Sequence, residues 1–328
     1  MKDRNIIIVT GAAGMIGSGV VRHLNNLNQF QLLLVDDLGK DDRWKNLVGK
    51  SFIDLIPVAS LFEWLATRGS EVDAIIHLGA CADTIETDGS YLLENNYRYT
   101  ISLAQWALKE NVRFIYASSA ATYGDGSRGF SDDESTLESL QPINMYAFSK
   151  HLIDLWMKRQ GVLDRVVALK YFNVFGPNEY HKGRMASMVL KMSHIAQKNE
   201  PIELFKSNDA RFGDGEQCRD FIYVKDVARM TCDFLEPQHR NLGGIFNIGL
   251  GTPSTWNRLA FALFKALQKS PNIQYIGMPV DLSRQYQNYT CAEMDKFYRL
   301  MQPRQPALSL EDGVTDYVQN YLLEGKRW

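Results

Sequence analysis

The sequence predicts an α/β fold: a doubly wound parallel sheet with a smaller C-terminal substrate-binding region. Three observations lead there. An apolar run, Ile6 to Val9, leads into Gly11, Gly14 and Gly17. Up to Phe172, short apolar runs alternate with stretches of helical periodicity. A second apolar run, 31–35, ends on Asp36. Alternation of this kind places helices on both faces of one sheet and ligands at the carboxyl ends of its strands.

The elements follow in order. Strands are predicted at 5–10, 31–36, 73–77, 112–117 and 165–172, and helices at 15–27, 58–68, 90–110 and 145–160. Between the first strand and first helix, Gly-x-x-Gly-x-x-Gly lets the chain turn tightly and its backbone approach a pyrophosphate. The helix that starts near Met15 and Ile16 offers free N–H groups and the positive end of its dipole to that anion. An acid about 20 residues further on is the expected ribose ligand, and Asp36 stands there. This is the Rossmann arrangement for a dinucleotide.

After Tyr171 the texture changes. Loops at 176–184 and 207–220 carry Gly, Pro, Asn and charge, helices fall near 185–198 and 254–269, and Phe246 to Ile248 reads as a core strand. Residues 1–175 are taken as the nucleotide-binding domain, which also receives a strand at about 243–250. Residues 176–328 form a discontinuous substrate-binding region.

The bulk numbers narrow the class. The chain has 328 residues, 45% apolar and 23% charged, as in ordinary globular enzymes. A net charge of −2 with no long basic run argues against nucleic-acid or anionic-membrane partners. No apolar run approaches the ~20 residues a membrane helix needs. Cys81, Cys218, Cys232 and Cys291 are far apart, without Cys-x-x-Cys, and the six histidines show no ligand spacing. A cytoplasmic protein with reduced thiols and no metal site is expected.

Chemistry concentrates in two places. Tyr146 and Lys150 stand four apart in a predicted helix and so share one face. An ammonium beside a phenol favours phenolate and lowers the tyrosine pKa, so Tyr146 can act as a base on a sugar hydroxyl. Upstream, the strand at 112–117 runs into Ser118 and Ser119. Ser119 is placed either to bond a reacting hydroxyl or to cap the strand end.

Together these motifs resemble the extended short-chain dehydrogenase/reductase family, whose members are mostly nucleotide-sugar epimerases or dehydratases. The resemblance runs through the glycine loop, His77-Leu-Gly-Ala80, Asn95-Asn96, Ser118-Ser119, Tyr146/Lys150, Tyr171-Phe-Asn-Val-Phe-Gly-Pro177 and Arg219-Asp-Phe-Ile-Tyr-Val-Lys-Asp226. It implies a catalytic set of Ser119, Tyr146 and Lys150, and cofactor contacts at Leu78, Gly79, Ala80, Cys81, Asn95 and Val174. Three stretches, 79–89, 118–124 and 178–187, are similar to the ADP-heptose 6-epimerase branch. That similarity implies inversion at C6 of an ADP-heptose for the lipopolysaccharide core. It also implies a second base, Lys182, which touches the cofactor too, and a homo-oligomer, by resemblance a pentamer. The alternative for Lys182 is a solvated loop lysine or a phosphate contact.

Cofactor choice turns on charge. Asp36 suits an NAD ribose and would repel a 2′-phosphate, and Asp37 adds a second negative charge. The branch prefers NADP despite an acid at this point, and Arg43 matches one of its basic positions, with Lys40 nearby. NADP is favoured, with NAD as the alternative. For substrate, the resemblance implies Asn173, the segment Phe205, Lys206, Ser207 and Asn208, Arg219, and Tyr286. Arg184 and Lys191 stand where a serine and a histidine are expected. They are read as a clamp on the diphosphate or as the mark of a different sugar nucleotide. Two other readings stay open. One is another nucleotide-sugar epimerase or a 4,6-dehydratase, weakened because Ser119-Ala120 replaces the dehydratases' Asp-Glu. The other is a non-catalytic NADP-sensing protein, which would have little need of an intact Tyr146/Lys150 pair.

Overall fold

The computed structural model describes residues 4–28, 30–279, 286–303 and 305–328. The first half carries β1 (Ile6–Thr10), β2 (Gln31–Val35), β3 (Asp54–Ile56), β4 (Val72–His77), β5 (Arg113–Ser119) and β6 (Val166–Tyr171). The second half adds β7 (Asn173–Phe175), β8 (Ile202–Phe205), β9 (Cys218–Arg219), β10 (Phe221–Tyr223), β11 (Gly244–Ile248), β12 (Ser254–Thr255) and β13 (Ile273–Ile276). The helices are α1 (Met15–Leu27), α2 (Leu61–Arg68), α3 (Gly89–Leu92), α4 (Tyr99–Lys109), α5 (Met145–Arg159), α6 (Met188–Gln197), α7 (Val224–Cys232), α8 (Trp256–Ala266), α9 (Asp295–Met301) and α10 (Leu310–Tyr317).

Among the described residues, seven strands form one sheet in the order β11-β6-β5-β4-β1-β2-β3, every neighbouring pair parallel. Helices cover both faces, so β1 reads Ile-Ile-Ile-Val-Thr and is buried along its whole length. The chain order reverses between β1 and β4, which opens a crevice at their carboxyl ends. The edge strand β3 escaped the sequence reading, because three residues carry no detectable period. The helix expected at 90–110 is built from α3, a π-helical stretch Leu93–Arg98 and α4. The wider π turn sets Asn96 facing inward and fully buried.

A second apolar cluster lies outside the sheet. Phe175, Met192, Leu204, Leu263, Val314 and Tyr317 pack together with Met15 of α1. The helix that follows the glycine loop thus touches both cores. The short pairs β7–β10, β8–β13 and β9–β12 belong to this C-terminal part. None of these six strands was expected from the sequence, since two- to four-residue strands are set by their partners. Among the described residues the four cysteines are free, no helix is long and apolar enough to cross a membrane, and no cluster of three His, Cys, Asp or Glu could hold a metal ion.

His77 ends β4 in a buried relay. The Thr10 hydroxyl accepts the Gly79 N–H at 3.0 Å and meets His77 Nδ1 at 2.6 Å. The Thr100 hydroxyl donates to the Asn96 carbonyl at 2.5 Å and meets Nε2 at 2.9 Å. Each hydroxyl has one proton, so the network assigns a neutral ring with its hydrogen on Nε2. Burial, with Lys150 adding to it, pushes the His77 pKa down to about 3. The unfolded chain therefore takes up a proton that the folded one refuses. Stability from this residue is intact above pH ~6.5 and falls by about 1.4 kcal/mol per unit as pH drops toward 3. Urea midpoints measured from pH 7 to 4 should show that slope, and His77→Gln should flatten it.

Candidate active site

At the mouth of the crevice, Gly11 is held at φ +66°, and a side chain there would strike Gly79. A Cβ on Gly17 would come within 2.0 Å of the Gly11 carbonyl oxygen. Gly14 precedes α1 without any side-chain cap on the helix. The first-turn N–H groups of Met15, Ile16 and Gly17 are thus left to an external anion. These features fit a dinucleotide. Asp36, just beyond β2, accepts the Ala13 N–H at 2.8 Å, and burial raises its pKa. Arg43 stands 3.8 Å from Asp36 while its guanidinium is paired with Asp41 at 2.8 Å. Asp37 accepts the Val58 N–H at 3.1 Å.

The crevice continues into a cleft of about 680 Å³ lined by Ile16, Leu78, Ala80, Ser119, Tyr146, Lys150, Asn173, Val174, Lys182, Arg184 and Lys191. Asn144 caps α5 by accepting the Ala147 N–H at 2.8 Å, which sets Tyr146 and Lys150 on one helical face. Ser119 ends β5, and its hydroxyl accepts the Ala121 N–H at 3.1 Å, so it does cap a turn. The same hydroxyl acts on the Tyr146 phenol in the lowering sense, against the larger raising effect of burial.

The expected effect of Lys150 on Tyr146 is not what the structure shows. Burial outweighs the serine and raises the phenol's pKa. The Lys150 ammonium instead donates to the Ala117 carbonyl at 2.8 Å, and burial brings its own pKa down to about 8. On the inner face of α5, Asp154 is fully buried. It pairs with Lys170 at 2.8 Å and accepts from Ser118 at 2.7 Å and Tyr116 at 2.9 Å. This ion pair, invisible in sequence, pins α5 to the sheet.

Lys182 reaches the cleft from the loop after β7. Its Nζ lies 4.0 Å from the Met15 sulfur, and burial lowers its pKa against the raising pull of the Glu179 carboxylate, with Lys191 adding to the lowering. A lysine whose pKa is lowered by burial suits proton transfer better than a solvated loop lysine does. Arg184 also lines the cleft. It is exposed and ion-paired with Asp83, because the loop after β4 folds back beside it. Lys191 donates to the Arg184 carbonyl at 2.6 Å and lines the cleft.

Residues 7–249 match the NAD dependent epimerase/dehydratase family. The chain belongs to that family. It is 45% identical to an ADP-L-glycero-D-manno-heptose-6-epimerase of Nitratidesulfovibrio vulgaris, over 96% of this chain and 97% of that one. It is 43% identical to the enzyme so named from Fusobacterium nucleatum, over 97% and 98%. A crystal structure of the Helicobacter pylori ADP-L-glycero-D-manno-heptose-6-epimerase superposes with a TM-score of 0.79 at 26% identity, covering 98% of each chain.

Within this epimerase/dehydratase fold, several expected residues lie off the cleft wall. Phe205 packs edge-on to Tyr286, with ring centroids 6.2 Å apart. Arg219 lies 4.9 Å from the Tyr286 ring and 5.7 Å from the Trp256 ring, which does line the cleft. Lys206 and Ser207 are held through their backbone N–H groups to Ile276 and Asp214, and Asn208 follows. Asn95 does not line the cleft. Its neighbour Asn96 clamps Cys81, accepting its N–H at 2.8 Å and donating to its carbonyl at 3.0 Å. Sequence reasoning passed over Phe221, Trp256 and Gln287, which also line the cleft. Nothing short-range distinguishes them from core aromatics or loop amides.

Proposed function

We propose that this chain inverts C6 of ADP-glycero-manno-heptose, from the D-glycero to the L-glycero epimer, for lipopolysaccharide core precursors, with NADP held through turnover. The observation that carries this reading is that Tyr146 and Lys182 reach one cleft from different elements. The curated relatives of that name, at 45% and 43% identity, support the substrate. A bound nicotinamide supplies the two-electron oxidation at C6 and its reversal. The protein's residues handle the proton. One of Tyr146 and Lys182 takes it from the C6 hydroxyl. The exocyclic carbonyl turns about the C5–C6 bond, and the other residue returns a proton to oxygen from the new direction. Ser119 holds the oxygen beside Tyr146, Lys150 stands on the same helical face with its ammonium on the Ala117 carbonyl, and Lys191 faces the diphosphate.

NADP over NAD rests on Arg43, whose guanidinium can leave Asp41 for a 2′-phosphate beside Asp36. Nucleotide released from the denatured protein should be NADP. Arg43→Ala should weaken NADP binding about tenfold and leave NAD unchanged. Equal losses for both would assign Arg43 to the fold alone. The direct test is incubation with ADP-D-glycero-D-manno-heptose and no added cofactor, with C6 followed by proton NMR. Growth of the L-glycero signal supports substrate, reaction and retained cofactor together. An unchanged spectrum from a protein that still carries nicotinamide would mean a different sugar nucleotide.

A further inference from the structure

The loop that presents Lys182 is held by a buried carboxylate to which the sequence reading gave no role. Glu179 is fully buried three residues before Lys182. One carboxylate oxygen accepts the Gly176 N–H at 3.4 Å and the Ser187 hydroxyl at 2.6 Å, and the other accepts the Ser187 N–H at 2.5 Å. Gly176 begins the loop and Ser187 caps α6 at its end, its hydroxyl accepting from the Leu190 N–H. The Glu179 carbonyl accepts the Lys182 N–H at 2.9 Å. One residue therefore ties both ends of a twelve-residue span and the backbone of Lys182 itself.

The preceding residue, Asn178, fixes this loop to the cofactor side. It is fully buried at φ +73° and donates to the Ser18 hydroxyl of α1 at 3.0 Å. Lys182 is thereby held against Met15 on the same helix. A carboxylate presents only acceptors, and the Gly176 N–H, the Ser187 N–H and the Ser187 hydroxyl all donate to it here. An unpaired buried charge is costly, and these charge-assisted bonds offset that cost. Glutamine has nearly the same shape, but its NH2 would face an N–H donor.

We propose that Glu179 is a positioning residue for Lys182, closing the 176–187 loop so that the lysine amine is presented to the cleft. The proposal rests on Lys182 acting in proton transfer, as read above. The test is a double-mutant cycle in the C6 epimerisation assay with Glu179→Gln, Lys182→Met and the combined variant. Glu179→Gln is expected to lower kcat about thirtyfold, with KM within about twofold and the released nucleotide unchanged. In the Lys182→Met background the same change should add nothing, because it acts through an amine already gone. A full additive loss there, or wild-type kcat in Glu179→Gln, overturns the positioning role. Full activity in Lys182→Met would instead overturn the role of Lys182, and the proposal with it. Should Glu179→Gln not fold, Ser187→Ala removes one donor from the same clamp. It should show a smaller fall in kcat with the same non-additivity, and an additive loss would again overturn the proposal.

Discussion

Tyr146→Phe is expected to lower C6 epimerisation about a thousandfold while the protein keeps its nucleotide. A positioned proton-transfer group contributes about 10²–10⁴, and the phenol is the group on which the Ser119 hydroxyl acts. The ring of Tyr146 is half-buried in the cleft wall and stays in place when only its oxygen is removed. Folding and cofactor retention should therefore match the parent. The measurement is kcat by NMR, set beside the nucleotide released on denaturation. Normal turnover would remove Tyr146 from the chemistry. Loss of nucleotide along with activity would assign it to cofactor binding.

Lys182→Met should cost about a hundredfold or more in kcat, again with nucleotide retained. Methionine matches the four-atom stem of lysine and suits the contact with Met15, so the change removes the amine and little else. Arg184→Met, one turn-residue pair away, serves as the control. Arg184 lines the same cleft but is exposed and tied to Asp83, so its loss should change kcat less than threefold, with any part in holding the diphosphate showing in KM. Equal mild effects from both variants would return Lys182 to the class of solvated loop lysines. The depressed pKa of Lys182 supports the asymmetry between the two cations, since burial acts on it.

How much of this was legible depended on range. Glycine spacing, the apolar run of β1 and the i,i+4 placement of Tyr146 and Lys150 are properties of a few consecutive residues. The structure places them within a residue or two of the expected elements. The π turn that buries Asn96 was hidden inside a stretch that reads as ordinary helix. Lys182 entered through family likeness, since an isolated His-Lys-Gly turn has no chemistry that its neighbours in sequence reveal.

The sequence by itself determined the parallel sheet, the phosphate-facing start of α1 and the helix that carries the tyrosine and lysine. Each is set by local backbone preference and by the period of apolar residues. Only the tertiary structure decided what surrounds those groups. Arg184 meets Asp83 across 101 residues, Asn178 meets Trp328 across 150, and Lys182 meets Met15 across 167. The direction of the Tyr146 pKa was decided there too. Burial and distant partners set that balance, and neither is written in the spacing of neighbours along the chain.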